Sequence, residues 1–528
     1  MGWGAAPMKA AGRILTGRDH TVDTTLHADV VVVGSGAGGS VVAERLTARG
    51  LDVVLLEEGG YWTRRSFDGR EDHAYPHLYQ EMGNRATDDQ SVLILQGRSV
   101  GGGTTVNWCT SFRTPRVVLE RWRDQFGVKG LTEAALIPHW EAIEKRLHIA
   151  EWPLDRMNAN NQVLWDGCGK LGYSRGLVRR NVNNCANLGY CGLGCPLDAK
   201  MSMLVTLIPD AVEKGLTVQA NASVRRLLVG GRRVGGVEAV LLDPETDRPT
   251  GVKLTVKART VVVSGGAINS PALLLRSGLD GHGNVGKRFF LHPVVIMSAL
   301  MPEPVAPWSG APQAAYSHHF IDRGPGKVGF LLEVPPIMPL IAATVFPGVG
   351  EQHQALMEQL PYIQSTIAIC HDGILPDDAG GTVSLRDPNE RRVSIVYPLR
   401  PFHFEAFRAA CKEMARIQFA AGAREVRSLH ASPVRIPRAT DVDSLLDSAP
   451  WEAGRVRVAT AHQMGGCAMG GDPRTSVVDS TLRYHEMDNL FVVDGSVFPT
   501  SLGVNPQETI YGLARWASEF VSAATPGA

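Results

Sequence analysis

Neither sign of charge dominates this chain: 53 Lys and Arg stand against 53 Asp and Glu over 528 residues. With no net field, nothing draws the polyanionic backbone of a nucleic acid or an acidic surface, and no nucleic-acid partner is expected. Long hydrophobic runs are missing too. No stretch of about eighteen uncharged apolar residues occurs, so no spanning helix is expected. The N-terminus, MGWGAAPMKAAGRILTGRDH, lacks a sustained apolar core and a twin arginine, and no export signal is read in it. Cysteine is sparse, eight in all. Without an export signal these predict thiols or ligands in a reducing compartment, hence a cytoplasmic location or a peripheral one at a membrane. Internal repeats and low-complexity tracts are absent.

What the chain has in excess is glycine, 57 residues, above the usual share of roughly 7 %. Most of it lies in short loops between apolar runs, where backbone must come close to a phosphate or a flat ring. The run DVVVVG (29–34) is continuous and Val-rich, as in a parallel strand buried on both faces. A Gly-rich turn, a helix-like SVVAERLTARG and a second apolar run, DVVLLEEGG, complete a β-α-β unit. Residues 222–263 alternate apolar and polar around a GG at 230–231 and predict strands. Two more apolar strands are read at TVVVSGG (260–266), followed by a helix started by Pro271, and at LFVVDG (490–495). From about 290 to 455 prolines become frequent, and strand-like runs (STIAICHDG, RRVSIVYPL) flank a long helical stretch, HFEAFRAACKEMARIQFAAG.

The expected fold class is α/β (α+β overall), a Rossmann-type nucleotide domain built from discontinuous segments with an inserted mixed-sheet substrate domain. An extended lead-in covers 1–27 and the nucleotide domain 28–290, with a Gly/Thr/Arg-rich loop at about 85–115 and a Cys-containing segment at 180–205. The inserted domain covers 291–455, and 456–528 return to the first.

Gly34, Gly36 and Gly39 satisfy G-x-G-x-x-G. Gly34 allows the tight turn, Gly36 the approach of a pyrophosphate, and Gly39 close packing of helix on strand. Ala37 opens the helix whose amides and positive end face the phosphates. Glu57, at the end of the second strand, is the carboxylate expected on the adenosine ribose hydroxyls, which argues against NADP. FAD and NAD stay open at this point.

From Asp29 to about Trp516 the chain resembles the glucose–methanol–choline (GMC) oxidoreductases, flavoenzymes that mostly oxidise alcohols. VVVGSGAGG and LLEEGG resemble the family's nucleotide-binding start, GRSVGGGTTVN (97–107) its flavin-attachment loop, and SGGAINSPALLLRSG (264–278) its second glycine-rich signature. AHQMGGCAMG (461–470) and DGSVFPTSLGVNPQETIY (494–511) resemble its paired catalytic segments. The stretch NNCANLGYCGLGCPLDAKMSM and the GVNP tetrapeptide lean toward the branch that includes long-chain fatty alcohol oxidases. The resemblance implies FAD. It puts Gly101, Gly102 and Gly103 along the pyrophosphate and flavin, Asn107 at the flavin edge and Val224 at adenine. It puts Asp494 and Gly495 at the ribityl-phosphate region, with Asn505 and Pro506 beside the ring. Val106 stands where some members attach flavin through a His, so a dissociable FAD is expected.

Removing a hydride from a carbinol carbon leaves a hydroxyl proton to take up, and imidazole is suited to it near neutral pH. Of 16 His residues, His462 is the one the resemblance makes catalytic, as the base. Asn505 lies forty-three residues later, where members carry His or Asn, and its amide orients the oxygen while flavin N5 takes the hydride. Cys185, Cys191 and Cys195, spaced C-x5-C-x3-C, are read as structural thiols with no metal. The alternatives are ligands of an iron–sulfur cluster, or a zinc or disulfide role. A cluster would mark a dehydrogenase passing electrons to a cytochrome or quinone. The run PPIMPLIAATVFPGVG (335–350), apolar and Pro-broken, suits a lid or channel mouth over a hydrophobic primary or secondary alcohol. Oxygen or another acceptor would reoxidise the flavin. The competing classes are a non-redox lyase of the same fold, a light-driven decarboxylase and a flavin-binding protein without activity.

Overall fold

A computed structural model describes residues 12–387 and 392–525. The Val-rich runs form its centre. The strand Thr24–Val33 pairs in parallel with Val53–Leu56 on one side and with Pro249–Val263 on the other. Val30, Val31 and Val32 have no exposed area, as expected of strands covered on both faces. Leu490–Val492 also runs parallel to the end of Pro249–Val263, and the hairpin Ala222–Gly230/Arg233–Leu242 extends the sheet antiparallel. One eight-stranded sheet thus collects the start, middle and end of the chain. The fold class is the one the sequence predicts.

The expected lead-in needs correcting. Residues 1–11 lie outside the described residues, but Arg13–Leu15 adds an edge strand beside Thr217–Gln219, and Thr24 already begins the central strand. The polar spelling of TTLHAD hid this, because the first half of that strand has one face in solvent and only its second half is fully covered. The helix expected to start at Pro271 starts earlier and spans Gly266–Arg276. Its first turn is held from outside by Asp494, whose Oδ2 accepts from the Gly266 N–H (2.8 Å) and the Ser270 hydroxyl (2.5 Å). A carboxylate there also suits the positive end of the helix.

The second sheet has nine strands, centred on the antiparallel set Val294–Leu300, Ile363–Cys370 and Phe330–Glu333. Strand periodicity splits its residues. Val295, Met297, Ala299, Ala368 and Cys370 join the core under the helix Pro401–Ala420. Val294, Ile296, Ile367 and Ile369 face the opposite way, into a cavity. The sheet also recruits Val92–Ile94, Gly176–Leu177 and Val458–Thr460 from outside the expected 291–455 segment. Three-residue strands give too little periodicity to be seen in sequence. The apolar run 335–350 holds a short helix, Pro339–Val345, and its Ile337, Met338, Ile341, Val345 and Phe346 line the same cavity.

The Gly-rich turn at 34–39 packs backbone on backbone. A Cβ at Gly38 would overlap the Val493 carbonyl, and one at Gly39 the Gly34 carbonyl. Gly38→Ala should therefore lower stability by on the order of 1–3 kcal/mol or more. A melting temperature within a degree of wild type in the cofactor-free protein would count against this packing.

Candidate active site

Between the two sheets lies a cavity of about 700 Å³. One end is built from the glycine turns, the other from the apolar face of the second sheet. Gly34, Gly36, Ala37, Glu57, Gly102, Asn107, Val224, Asp494, Gly495, Asn505 and Pro506 all line it, as do His462 and Gly103. Gly39 and Gly101 do not. Gly39 packs against Gly34, and Gly101, at φ +92°, sits behind the wall against Thr105 and Leu204. Gly101 therefore shapes the turn from behind, where the resemblance put it along the pyrophosphate and flavin.

Whether these residues suit a dinucleotide is decided by the empty space and the free donors. A Cβ on Gly36 would find nothing nearer than Gly102 Cα at 4.0 Å, and one on Gly103 would find nothing at all within 4 Å. Both positions are bare backbone facing a void. The helix Ala37–Ala48 has no side-chain cap at Gly36 and no acid in its first turn, so its leading amides are free to meet a phosphate. The two buried acids organise the turns. Glu57 accepts from the Ser35 N–H (3.0 Å), the Ser35 hydroxyl (2.6 Å) and the Gly59 N–H (2.9 Å). Asp494 adds the Ser496 N–H (2.8 Å) to its bonds to Gly266 and Ser270. These bonds use three of the roughly four lone-pair positions on each carboxylate, and both residues line the cavity. Burial pushes both carboxyls above the usual range, against these hydrogen bonds. The set fits FAD: glycine backbone for the pyrophosphate, an acid for the ribose, and an apolar chamber beyond.

At that far end stand His462 and Asn505. His462 Nε2 is 3.3 Å from the Asn505 amide nitrogen, and its Nδ1 is 3.3 Å from Nδ1 of His292. Burial lowers His462 to about 4. Asn505 Nδ2 also donates to Glu333 Oε2 (3.4 Å), which accepts from Gln313 Nε2 as well. Glu333 is fully buried, and desolvation raises it to about 8, against the pull of Asn505 and Arg180. One loop serves both histidines: Gly503 gives its N–H to His292 Nε2 (2.9 Å), and Asn505, two residues on, meets His462. Gly503 has φ +72°, and a Cβ there would press on the His371 ring. Pro506 lies at the start of the helix Gln507–Ala524. Asn107 is held by Gln507, to which its amide donates at 2.7 Å.

His292, Glu333 and Gln313 escape a sequence reading. They sit in FLHPVV, FLLEVPP and APQAAY, which differ in nothing from core strands and loops. The lone acid in an apolar run is the signal that was there for Glu333.

In the three-cysteine segment, burial raises the Cys185 thiol, and Cys191 and Cys195 are near enough to add to that. Cys191 lies against Cys109 from the flavin-loop side, and Arg180 Nη2 is 3.6 Å from its sulfur. The Cys109 thiol, and after it the Arg180 and Lys200 cations, hold the Cys191 thiol below the usual range against its burial. Lys200 is buried and donates to the Asn107 and Cys191 carbonyls (2.8 and 2.7 Å). Among the described residues no three His, Cys, Asp or Glu side chains come together as a metal site, and no helix is long and apolar enough to cross a membrane.

Comparison with known proteins gives the family and the fold. The N- and C-terminal GMC oxidoreductase family models match residues 28–294 and 376–514. An uncharacterized GMC-type oxidoreductase of Mycobacterium tuberculosis is 35 % identical over 495 residues, covering 92 % of this chain and 74 % of its own. A long-chain-alcohol oxidase of Arabidopsis thaliana is 29 % identical over 511 residues, 93 % of this chain and 68 % of its own. Among solved structures, pyridoxine 4-oxidase from Mesorbium loti superposes with TM-score 0.68 at 22 % identity, covering 93 % of this chain and 98 % of that one. Aspergillus oryzae formate oxidase gives TM-score 0.70 at 16 % identity, covering 94 % and 98 %. These two share the fold.

The open space at Gly36 yields an expectation opposite to that for Gly38. Gly36→Ala should leave the melting point of cofactor-free protein almost unchanged, within about 0.5 kcal/mol, yet cut FAD retention through dialysis. Equal loss of stability in both alanine variants would remove the distinction between packing and cradle glycines.

Proposed function

Because this chain belongs to the GMC oxidoreductase family, we propose that it oxidises a hydrophobic primary or secondary alcohol to an aldehyde or ketone with non-covalently bound FAD. The carrying observation is the juxtaposition of His462 Nε2 and the Asn505 amide, 3.3 Å apart, at the apolar end of the cavity. Bound FAD supplies a two-electron acceptor for the carbinol hydride. The protein's part is to hold the oxygen. His462 and Asn505 converge on one point, and buried polar groups placed in advance act strongly there because water does not screen them. The walls contributed by Val294, Ile296, Ile367, Ile369 and Phe346 offer no partner for a sugar's hydroxyls and suit an aliphatic chain. The long-chain-alcohol oxidases among the relatives point the same way. Val106 lines the cavity where an attaching His would be needed, which supports a dissociable flavin. Oxygen or another acceptor completes the cycle.

Anaerobic mixing of the yellow protein with long-chain alcohols tests this: the flavin should bleach, and acid should release it from the precipitated chain. His462→Ala should slow bleaching by roughly 10²–10⁴, and Asn505→Ala by the equivalent of about 2–4 kcal/mol, with both spectra native. The double variant should lose less than the sum, since both groups act on one oxygen. Bleaching of the His462→Ala protein at wild-type rate would sink the proposal.

A further inference from the structure

Outside the cavity, the helix Glu71–Leu78 carries two histidines, His73 and His77, four residues apart and therefore on one face. Their rings adjoin, with centroids 4.9 Å apart and planes nearly perpendicular. This face is turned to solvent. The His73 side chain is 52 % exposed, and His77 is half-buried, with the Trp62 ring edge-on to it at 4.7 Å. On the inner face Ala74 and Leu78 join the core, and Tyr75 lines the cavity. Burial explains those inner residues, but not two imidazoles side by side in water.

Two hydrogen bonds fix the tautomer of both rings. His73 Nδ1 lies 3.0 Å from Asp68 Oδ2, and His77 Nδ1 lies 2.7 Å from the His73 carbonyl oxygen. Both partners can only accept. A carbonyl oxygen has no proton, and the Arg70 N–H, 3.0 Å from the Asp68 carboxylate, holds that carboxyl below its usual range. Each Nδ1 must therefore donate, and in the neutral ring the lone pair is on Nε2. No hydrogen bond among the described residues occupies either Nε2. A carboxylate or backbone carbonyl on Nδ1, with Nε2 left open, is how proteins orient a histidine that ligates a metal. Two such nitrogens at i and i+4 of a helix can close on a single ion, each at about 2.0–2.1 Å.

The helix has a weak point that such an ion would bridge. Pro76 stands between the two histidines and, having no N–H, cannot give the Asp72 carbonyl its helical bond. A chelate from His73 to His77 spans this gap and ties the two halves of the helix together. That helix also forms part of the cavity. Glu71, its first residue, accepts from the N–H groups of Leu340 (2.5 Å) and Ile341 (3.0 Å) in the short helix Pro339–Val345, which lines the cavity too. The charges nearby do not oppose a cation. Arg70 is turned to Asp72, 2.6 Å away, and Asp68 is an acid.

We propose that His73 and His77 bind one late first-row divalent cation, Ni²⁺, Cu²⁺ or Zn²⁺, through their two Nε2 atoms, with water completing its shell. Imidazole suits these ions, where Mg²⁺ and Ca²⁺ want oxygen. Two protein ligands are fewer than the three of a catalytic zinc site, and the ion sits on the solvent face of the helix. Its role is to staple the helix across Pro76, and through Glu71 and Tyr75 to stiffen one wall of the cavity. Asp68 positions the His73 ring and does not touch the ion.

Titration of the purified, chelator-treated protein with NiCl₂ tests this, with bound nickel measured by equilibrium dialysis. One Ni²⁺ should bind per chain in the micromolar range and quench the part of the tryptophan emission that a Trp62→Phe variant lacks. His73→Gln and His77→Gln should each weaken binding at least about tenfold, because each removes one of two ligands. His282→Gln, which removes an exposed histidine elsewhere, should leave it unchanged. Asp68→Asn keeps both rings and should still weaken binding by roughly tenfold, as loss of an outer partner does. With nickel present, amide hydrogen exchange over residues 73–79 should slow in wild type and not in His77→Gln. Nickel held as tightly after loss of both rings, or weakened as much in His282→Gln, would show adventitious binding and overturn the site. Wild-type affinity in His77→Gln alone would overturn the chelate. Exchange that nickel leaves unaltered in wild type would overturn the staple, and unchanged affinity in Asp68→Asn the role of the carboxylate.

Discussion

Everything at the site hangs on a buried carboxylate that ties distant parts of the chain together. Asp494 reaches from the end of the strand Leu490–Val492 to the first turn of the helix Gly266–Arg276, and it also caps its own turn through Ser496. A charge so placed costs desolvation, and the three donors around it are what make it tolerable. The donors come from two segments far apart in sequence, so this one carboxylate joins the turn at Gly266 to the turn at Gly495. Glu57 repeats the arrangement at the first turn with Ser35 and Gly59. The turns of the cofactor cradle are thus tied together by the chain's own hydrogen bonds, an arrangement that lowers the ordering cost of binding.

How much of this could be read from the residues depends on how local the cause is. The parallel strands were legible because burial on both faces forces runs such as DVVVVG, and the glycine turn because close backbone approach admits no other residue. His462 and Asn505 were legible only through the flanking loops that the family shares. The edge strand Arg13–Leu15 was not, since three residues beside Thr217–Gln219 leave no period to detect. Nor were His292 and Glu333, whose meaning lies in what they face across the fold rather than in their neighbours along the chain. The early start of the helix Gly266–Arg276 was misread for the same reason: the group that holds its first turn, Asp494, is 228 residues away.

The pair of histidines also shows how backbone can direct side-chain chemistry. The N–H groups of Leu502 and Gly503 hold the His292 ring through its Nε2, its Nδ1 meets His462, and the far nitrogen of His462 lies against the Asn505 amide. No charge is needed for this relay of orientation, and it operates in a dry interior where charges would be expensive. The strain at His292 and the glycine at 503 are the local costs of keeping the line intact.

The second sheet divides its labour by face: alternate residues of Val294–Leu300 and Ile363–Cys370 build the core under the helix Pro401–Ala420, and those between them form the chamber wall. A substitution at Ile296 or Ile367 therefore reshapes the chamber without opening a hole in the core behind it. The cost of such a change falls on the small cluster that Ile367 forms with Val294, Leu331 and Ile369, so chamber shape and local wall packing change together while the larger core under the helix keeps its contacts.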